Sequence, residues 1–269
     1  MEGMATTPTQ SRWIDLEGAA NVRDLGGLPV ESGGRTASGI LLRADNLQGL
    51  TRADVAQLVE GVGVGVVVDL RTGEEVRLEG PGPLVADGRV DIRHRSLHPE
   101  GGERTDVVAT DELWPERPLD HPGEPQAVRI YLAYLRDRPD SIAGALHDVA
   151  HSDRAAIVHC AAGKDRTGVV CALALEAVGV PRAAVIDDYV ATGERIGAIL
   201  ERLRSSPTYA PELDGRPDEA HLPRPETMER VLALVDEHHG GAVEWLAAHG
   251  FGDADLVALR ERLVRSQVG

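Results

Sequence analysis

One stretch restricts the fold more than any other. Ala155-Ala156-Ile157-Val158-His159 runs without alternation straight into Cys160-Ala161-Ala162-Gly163-Lys164-Asp165-Arg166-Thr167-Gly168, and then into the apolar segment Val169 to Val178. An apolar run without a polar face reads as a strand covered on both sides, as in parallel sheets. Gly179 and Pro181 supply the stop signals of a helix over Val169–Val178. The unit is therefore buried strand, small-residue loop, helix. A second run of the same kind, Val66-Val67-Val68-Asp69-Leu70, sits earlier in the chain. Helical patterns occupy much of the remainder, and no repeat of 20 to 50 residues is found, which excludes a solenoid. The alternation predicts an α/β fold, a central mostly parallel sheet flanked by helices.

The boundaries are readable along the chain. The polar first dozen residues are expected to be a disordered leader (1–12), followed by a single domain over 13–269. Thr51 with Asp54 resembles a capping box opening a helix whose face is Val55, Leu58 and Val59. Gly61, Gly63 and Gly65 lie between that helix and the Val66 strand, the reverse of a dinucleotide fingerprint, and read as an αβ connection. Residues 80–125 form a long irregular excursion with a short strand near Val90 to Leu97. Helices are expected from Ala127, over Ser141–His151, over Pro181–Leu203, and at Pro225–His238, Ala242–Ala248 and Asp253–Val264, with a Pro-rich loop over Ser205–Pro225.

Composition narrows the function classes. With 44 acidic against 28 basic side chains the formal charge is -16, which repels polyanions, so nucleic acid is not the expected partner. No stretch reaches the roughly 20 apolar residues that cross a bilayer, and the N-terminus has neither a basic start nor an apolar run. No integral membrane association is expected, and the cytoplasm is the preferred compartment, with leaderless export open. Two cysteines are too few for a disulfide scaffold or a cysteine-rich zinc site, so a cysteine that matters here matters through reactivity. An acidic chain that binds an anion needs a local pocket of donors.

The loop after the buried strand offers one. Five residues separate Cys160 from Arg166, and Ala161, Ala162 and Gly163 leave the floor of such a loop clear. Its N–H groups, with those of Lys164 and Gly168, can converge on one point at the positive end of the following helix. A tetrahedral oxyanion fits there. The helix dipole and Arg166 favour thiolate over thiol at Cys160, making it a nucleophile. Arg166 can hold two phosphoryl oxygens bidentately, and the Thr167 hydroxyl can donate to the sulfur as it leaves. His159 is expected to orient the loop rather than act as a base.

These residues resemble a family. Cys-x5-Arg-Thr is the signature of the protein tyrosine phosphatase superfamily, and Lys164-Asp165 inside the loop makes it similar to the atypical bacterial tyrosine/serine protein phosphatases. Asn21-Val22-Arg23-Asp24-Leu25-Gly26-Gly27, Leu42-Arg43, and Asp69-Leu70-Arg71 with Glu75 match the same group in order and spacing. The resemblance implies metal-free hydrolysis of phosphomonoesters through a phosphocysteine on Cys160, with no cofactor and with phosphate or another oxyanion as loop ligand. It implies phosphotyrosine substrates, with phosphoserine/threonine or phosphoinositides as further options, the last kept open by Lys164. It also implies a helical lid, expected at 191–225. A mycobacterial member uses the aspartate inside the loop as general acid, which favours Asp165; Asp106, Asp111 and Asp120 are the alternatives.

Other features carry less. Asp69, Arg71 and Glu75 are expected to be structural rather than pocket-lining, and Arg43 either reaches the phosphate or braces the loop. Cys171 is expected in the core. His147 and His151 share a helix face and could ligate a metal together, yet they are expected to be surface or satisfied histidines, and His238-His239 stand likewise. A phosphate-reading module without turnover, and a sulfurtransferase or arsenate reductase, are the competing classes. The intact Cys, Asp, Arg and Thr disfavour the first, and the Lys-Asp-Arg-Thr-Gly ending the second. No Gly-x-Ser-x-Gly elbow or Walker sequence is present.

Overall fold

The computed structural model describes residues 11–99, 121–213 and 215–265. In chain order these form β1 (Arg23–Asp24), β2 (Arg35–Thr36), β3 (Leu41–Ala44), α1 (Arg52–Ala56, continuing through a π-helical turn at Gln57–Val62), β4 (Val64–Asp69), α2 (Gly73–Glu79), α3 (Pro83–Asp87) and β5 (Asp91–His94). After them come α4 (Gln126–Asp137), α5 (Pro139–Ala150), β6 (Ala155–His159), α6 (Asp165–Ala177), α7 (Arg182–Ala191), a 3-10 turn (Thr192–Arg195) and α8 (Ile196–Ser205). The chain ends with α9 (Ala210–Leu213), a 3-10 turn (Asp218–His221), α10 (Pro225–His239), α11 (Ala242–Ala248), α12 (Asp253–Leu263) and β7 (Val264–Arg265).

Five strands form one sheet in the order β1-β3-β6-β4-β5, and only β1 runs antiparallel. The expected strand at Ala155–His159 is β6, the middle of the sheet, and all five of its residues are buried. Its lack of alternation has a simple cause. Ala156 and Val158 pack into the large core with α4, α5, α6 and α10, while Ala155 and Ile157 pack on the opposite face with Val55, Leu58 and Val59. Both faces are apolar, so no period of two survives in the sequence. The register places Ala44, His159, Asp69 and His94 in one row at the carboxyl edge, where α/β sheets bind ligands.

Local signals form the nearby elements as their chemistry requires. Thr51 accepts from the Asp54 amide, and the Asp54 carboxylate accepts from the Thr51 amide, starting α1. The glycines at 61, 63 and 65 do join α1 to β4, and Gly63 takes the left-handed conformation. Thr72 and Glu75 make a second capping box, and the resulting α2 is a helix that the Pro/Gly-rich surroundings conceal in sequence. The Pro-rich return of 205–225 is more ordered than a loop, since α9 and a 3-10 turn interrupt it. The leader needs a similar correction at its end. Arg12 belongs to the fold and pairs with Asp188 at 2.7 Å, whereas 1–10 lie outside the described residues. Among the described residues no helix is long and apolar enough to cross a membrane.

Candidate active site

The loop 160–164 leaves the carboxyl end of β6 and enters α6 at Asp165, and its shape is held from outside. The Asn46 amide donates to Ala161 O at 2.9 Å, Asn21 Nδ2 to Ala162 O at 2.9 Å, and Arg43 Nη2 to Gly163 O at 2.7 Å. Three successive carbonyls thus face away from the loop centre. Because each peptide is planar and trans, the N–H groups of the same units, those of Ala162, Gly163 and Lys164, face the opposite way, into the bowl. Gly163 is required here. Its φ is +65°, and a Cβ would lie 2.4 Å from Ala44 O.

The braces form one buried network. Arg23 and Arg43 both pair with Asp188 of α7, Arg23 also holds Asn21 Oδ1 at 2.5 Å, and Arg12 closes on Asp188 from outside. Three guanidiniums therefore face one carboxylate directly behind the loop. Burial would raise the Asp188 carboxyl, but the guanidiniums of Arg23 and Arg43 override it and hold it well below the usual range. Burial, with neighbouring Arg43, lowers Arg23 to about 10. Three guanidiniums against one carboxylate leave a local excess of positive charge inside a chain of charge -16. Arg43 is a brace for the loop.

Arg166 is buried and its guanidinium is clamped bidentately by Glu75, at 2.6 and 3.0 Å. Burial would push the Glu75 carboxyl up, but Arg166 lowers it and keeps it ionised. The expectation for Asp69, Arg71 and Glu75 therefore divides. Asp69 and Arg71 pair with each other at 2.6 Å, while Glu75 pairs with Arg166 at the start of α6. His159 Nε2 lies 3.6 Å from Asp69, and its Nδ1 lies 3.3 Å from Cys160 O. Burial holds the imidazole down at about 4, so it is neutral at physiological pH.

Asp165 stands at the rim, and Tyr131 donates to its Oδ1 at 2.5 Å. The Tyr131 hydroxyl lies 2.8 Å from that of Tyr189. Lys164 Nζ lies 3.5 Å from Asp165 and donates to His221 O at 2.8 Å, so this lysine is committed to neighbours. The Thr167 hydroxyl is fully buried and has no hydrogen-bond partner among the described residues. Gly168 departs from its expected phosphate-binding role. Its amide bonds to Lys164 O within the helix, and its missing side chain admits the Tyr189 ring. Cys171 is buried in the core, and burial pushes its thiol up to about 11, which leaves it unreactive. Asp106, Asp111 and Asp120 lie outside the described residues.

Helix α8 covers the bowl. Ile199 and Leu203 of α8, together with Tyr209, pack against Ala161, with Ile196, Leu213 and Ala162 at the margin. A cavity of about 140 Å³ remains between loop and cover, lined by Cys160, Arg166, Asp165, Tyr134, Leu200 and Tyr209 among others. Sequence reasoning missed Tyr131, Asp188 and Tyr209 as site residues. Asp188 alone leaves a local trace, as one of two carboxylates, Asp187-Asp188, between the apolar pairs Val185-Ile186 and Tyr189-Val190 on α7.

A strand-loop-helix anion site with a cysteine at its base and an arginine clamped beside it defines a cysteine-dependent phosphatase. The profile of the tyrosine phosphatase family matches residues 14–265, and the chain belongs to that family. It is 29% identical over 274 residues to the triple specificity protein phosphatase PtpB of Mycobacterium tuberculosis, covering 91% of this chain and 97% of that protein. It is 28% identical over 231 residues to a tyrosine-protein phosphatase of Nostoc commune, covering 82% of this chain and 73% of that one.

Proposed function

We propose that Cys160 is the nucleophile of a two-step phosphoryl transfer in which Arg166 and the amides of 161–164 hold the three nonbridging oxygens. The Cys160 thiolate attacks phosphorus, the P–O bond to the leaving group breaks, and Asp165 gives that oxygen a proton. Water then attacks the phosphocysteine, Asp165 takes its proton, and the sulfur departs with inorganic phosphate as product. Thr167 donates to the departing sulfur, a role that its unpartnered buried hydroxyl suits. The observation that carries this reading is the bidentate clamp of Glu75 on Arg166 beside a loop whose Ala161, Ala162 and Gly163 carbonyls are held from outside.

The substrate class read from the cavity is a phosphorylated protein, with phosphotyrosine preferred. Its walls are aromatic and aliphatic, from Tyr134, Ile196, Leu200, Leu203 and Tyr209, and suit a phenyl ring. Lys164 is engaged by His221 O and Asp165, which weakens its case as a second phosphate cation and with it the phosphoinositide option. Ligand clefts commonly run to about 300–1,000 Å³, so 191–225 acts as a lid that opens to admit a protein side chain. The same reading takes 13–269 as one phosphatase domain.

The test is an initial-rate comparison of phosphotyrosyl, phosphoseryl and phosphothreonyl peptides with phosphatidylinositol phosphates, without metal, with Cys160→Ser as control. Turnover highest on the tyrosyl peptide and abolished in Cys160→Ser is expected. Turnover surviving in Cys160→Ser refutes the mechanism, and faster turnover of the lipids refutes the substrate class.

A further inference from the structure

His147 in the last turn of α5 and His151, the residue at its C-terminal cap, stand one turn apart, both exposed, with ring centroids 4.4 Å apart. The neighbouring Asp148 pairs with Arg95 instead of joining them. The fold supplies a third ligand from 104 residues away: His151 Nε2 donates to Asp255 Oδ1 of α12 at 2.7 Å, and His147 Nε2 lies 3.9 Å from the same oxygen. One nitrogen or oxygen from each of the three side chains lies within 4.8 Å of the others. In a tetrahedral zinc site with bonds of about 2.0–2.1 Å, neighbouring ligand atoms are about 3.3 Å apart. The two distances to Asp255 bracket that spacing.

The carboxylate is also oriented from behind. Asp255 Oδ2 accepts from the Gly252 amide at 3.1 Å at the start of α12, leaving Oδ1 for the histidines. Ligating carboxylates are typically fixed by such a second hydrogen bond. Two imidazoles and one carboxylate match the ligand chemistry of zinc-like metals, whereas calcium and magnesium prefer all-oxygen sites.

We propose that His147, His151 and Asp255 form a zinc-class metal site, with water as fourth ligand, that clamps α12 to α5. None of the three lines the cavity above Cys160, so the site is structural and separate from the phosphatase chemistry. Its consequence is anchorage of the C-terminal segment. Helix α12 leads into β7, which pairs with β2, so a clamp on α12 secures that ladder as well.

Full-length protein carrying Cys160→Ser, which removes the reactive thiol as a competing ligand, is stripped with chelator, titrated with zinc chloride by calorimetry, and melted with and without zinc. One zinc at micromolar affinity is expected, with Tm raised by roughly 5 °C at a hundredfold excess over Kd. Adding His147→Ala with His151→Ala removes that zinc and the Tm shift, and Asp255→Asn, which can keep the cap, weakens binding at least tenfold. Zinc binding and a Tm shift that persist in the double histidine variant, or no binding at micromolar zinc before those changes, overturn the proposal.

Discussion

Acid should weaken this fold through His159, and the size of the effect can be worked out. The imidazole sits at the end of the central strand beside Cys160, and burial, which outweighs the attraction of Asp69, holds it at about 4 against an ordinary 6.5. The unfolded chain therefore binds a proton that the folded chain refuses between those values. Stability from this group is complete above pH 6.5 and is lost as pH falls towards 4. At pH 4.5 the ratio of the two binding polynomials is roughly 80, or about 2.5 kcal/mol at 1.36 kcal/mol per decade. The Asp69 carboxyl, lowered by His159 and Arg71 against its burial, adds its own loss only below the ordinary carboxylate range. Urea unfolding from pH 7.5 to 4.5, followed by fluorescence of the buried Trp245, measures the loss, and the midpoint should move by about 1 M. His159→Gln should be less stable at pH 7.5 yet lose about 2.5 kcal/mol less on acidification. Equal pH dependence in the two proteins would mean that His159 titrates normally, and the argument from burial would fail.

Four further outcomes follow from the site. Asp165→Asn should lower kcat by about 10²–10⁴ on phosphotyrosine and much less on p-nitrophenyl phosphate, whose leaving group needs little protonation; equal losses on both would remove Asp165 as the acid. Glu75→Ala strands Arg166 in the interior and should cost about 3–5 kcal/mol in urea unfolding, with a large fall in kcat. Gly163→Ala should cost at least about 1–2 kcal/mol for the left-handed backbone alone, and the contact with Ala44 O should distort the loop and collapse turnover. If 191–225 is a lid, limited proteolysis within it should slow in saturating vanadate, and an unchanged cleavage rate would count against it.

Much of the site is legible in the sequence because its parts are local. A loop that must present amides around a cysteine needs small residues, a glycine at the turn and a helix start within a few positions, and 160–168 carries all of these in order. The capping box at Thr51 is likewise set by interactions within one turn of chain, and the strand before the loop shows in sequence as an uninterrupted apolar run. Spacing alone groups Gly168 with the loop amides, whereas as the fourth residue of α6 it is the first whose amide bonds back into the helix, to Lys164 O.

What only the tertiary structure decided are the partners. Arg166 meets Glu75 across 91 residues, Arg23 meets Asp188 across 165, and His151 meets Asp255 across 104. Tyr131 reaches Asp165 only because α4 packs against α6. Propensity, capping and turn chemistry act between near neighbours in the chain, so they can be read one segment at a time. A buried charge must instead find its counterpart wherever the packing of sheet and helices brings one. For that reason the sequence points to Cys160 and its loop, and the fold alone determines what holds the arginine, braces the loop and covers the cavity.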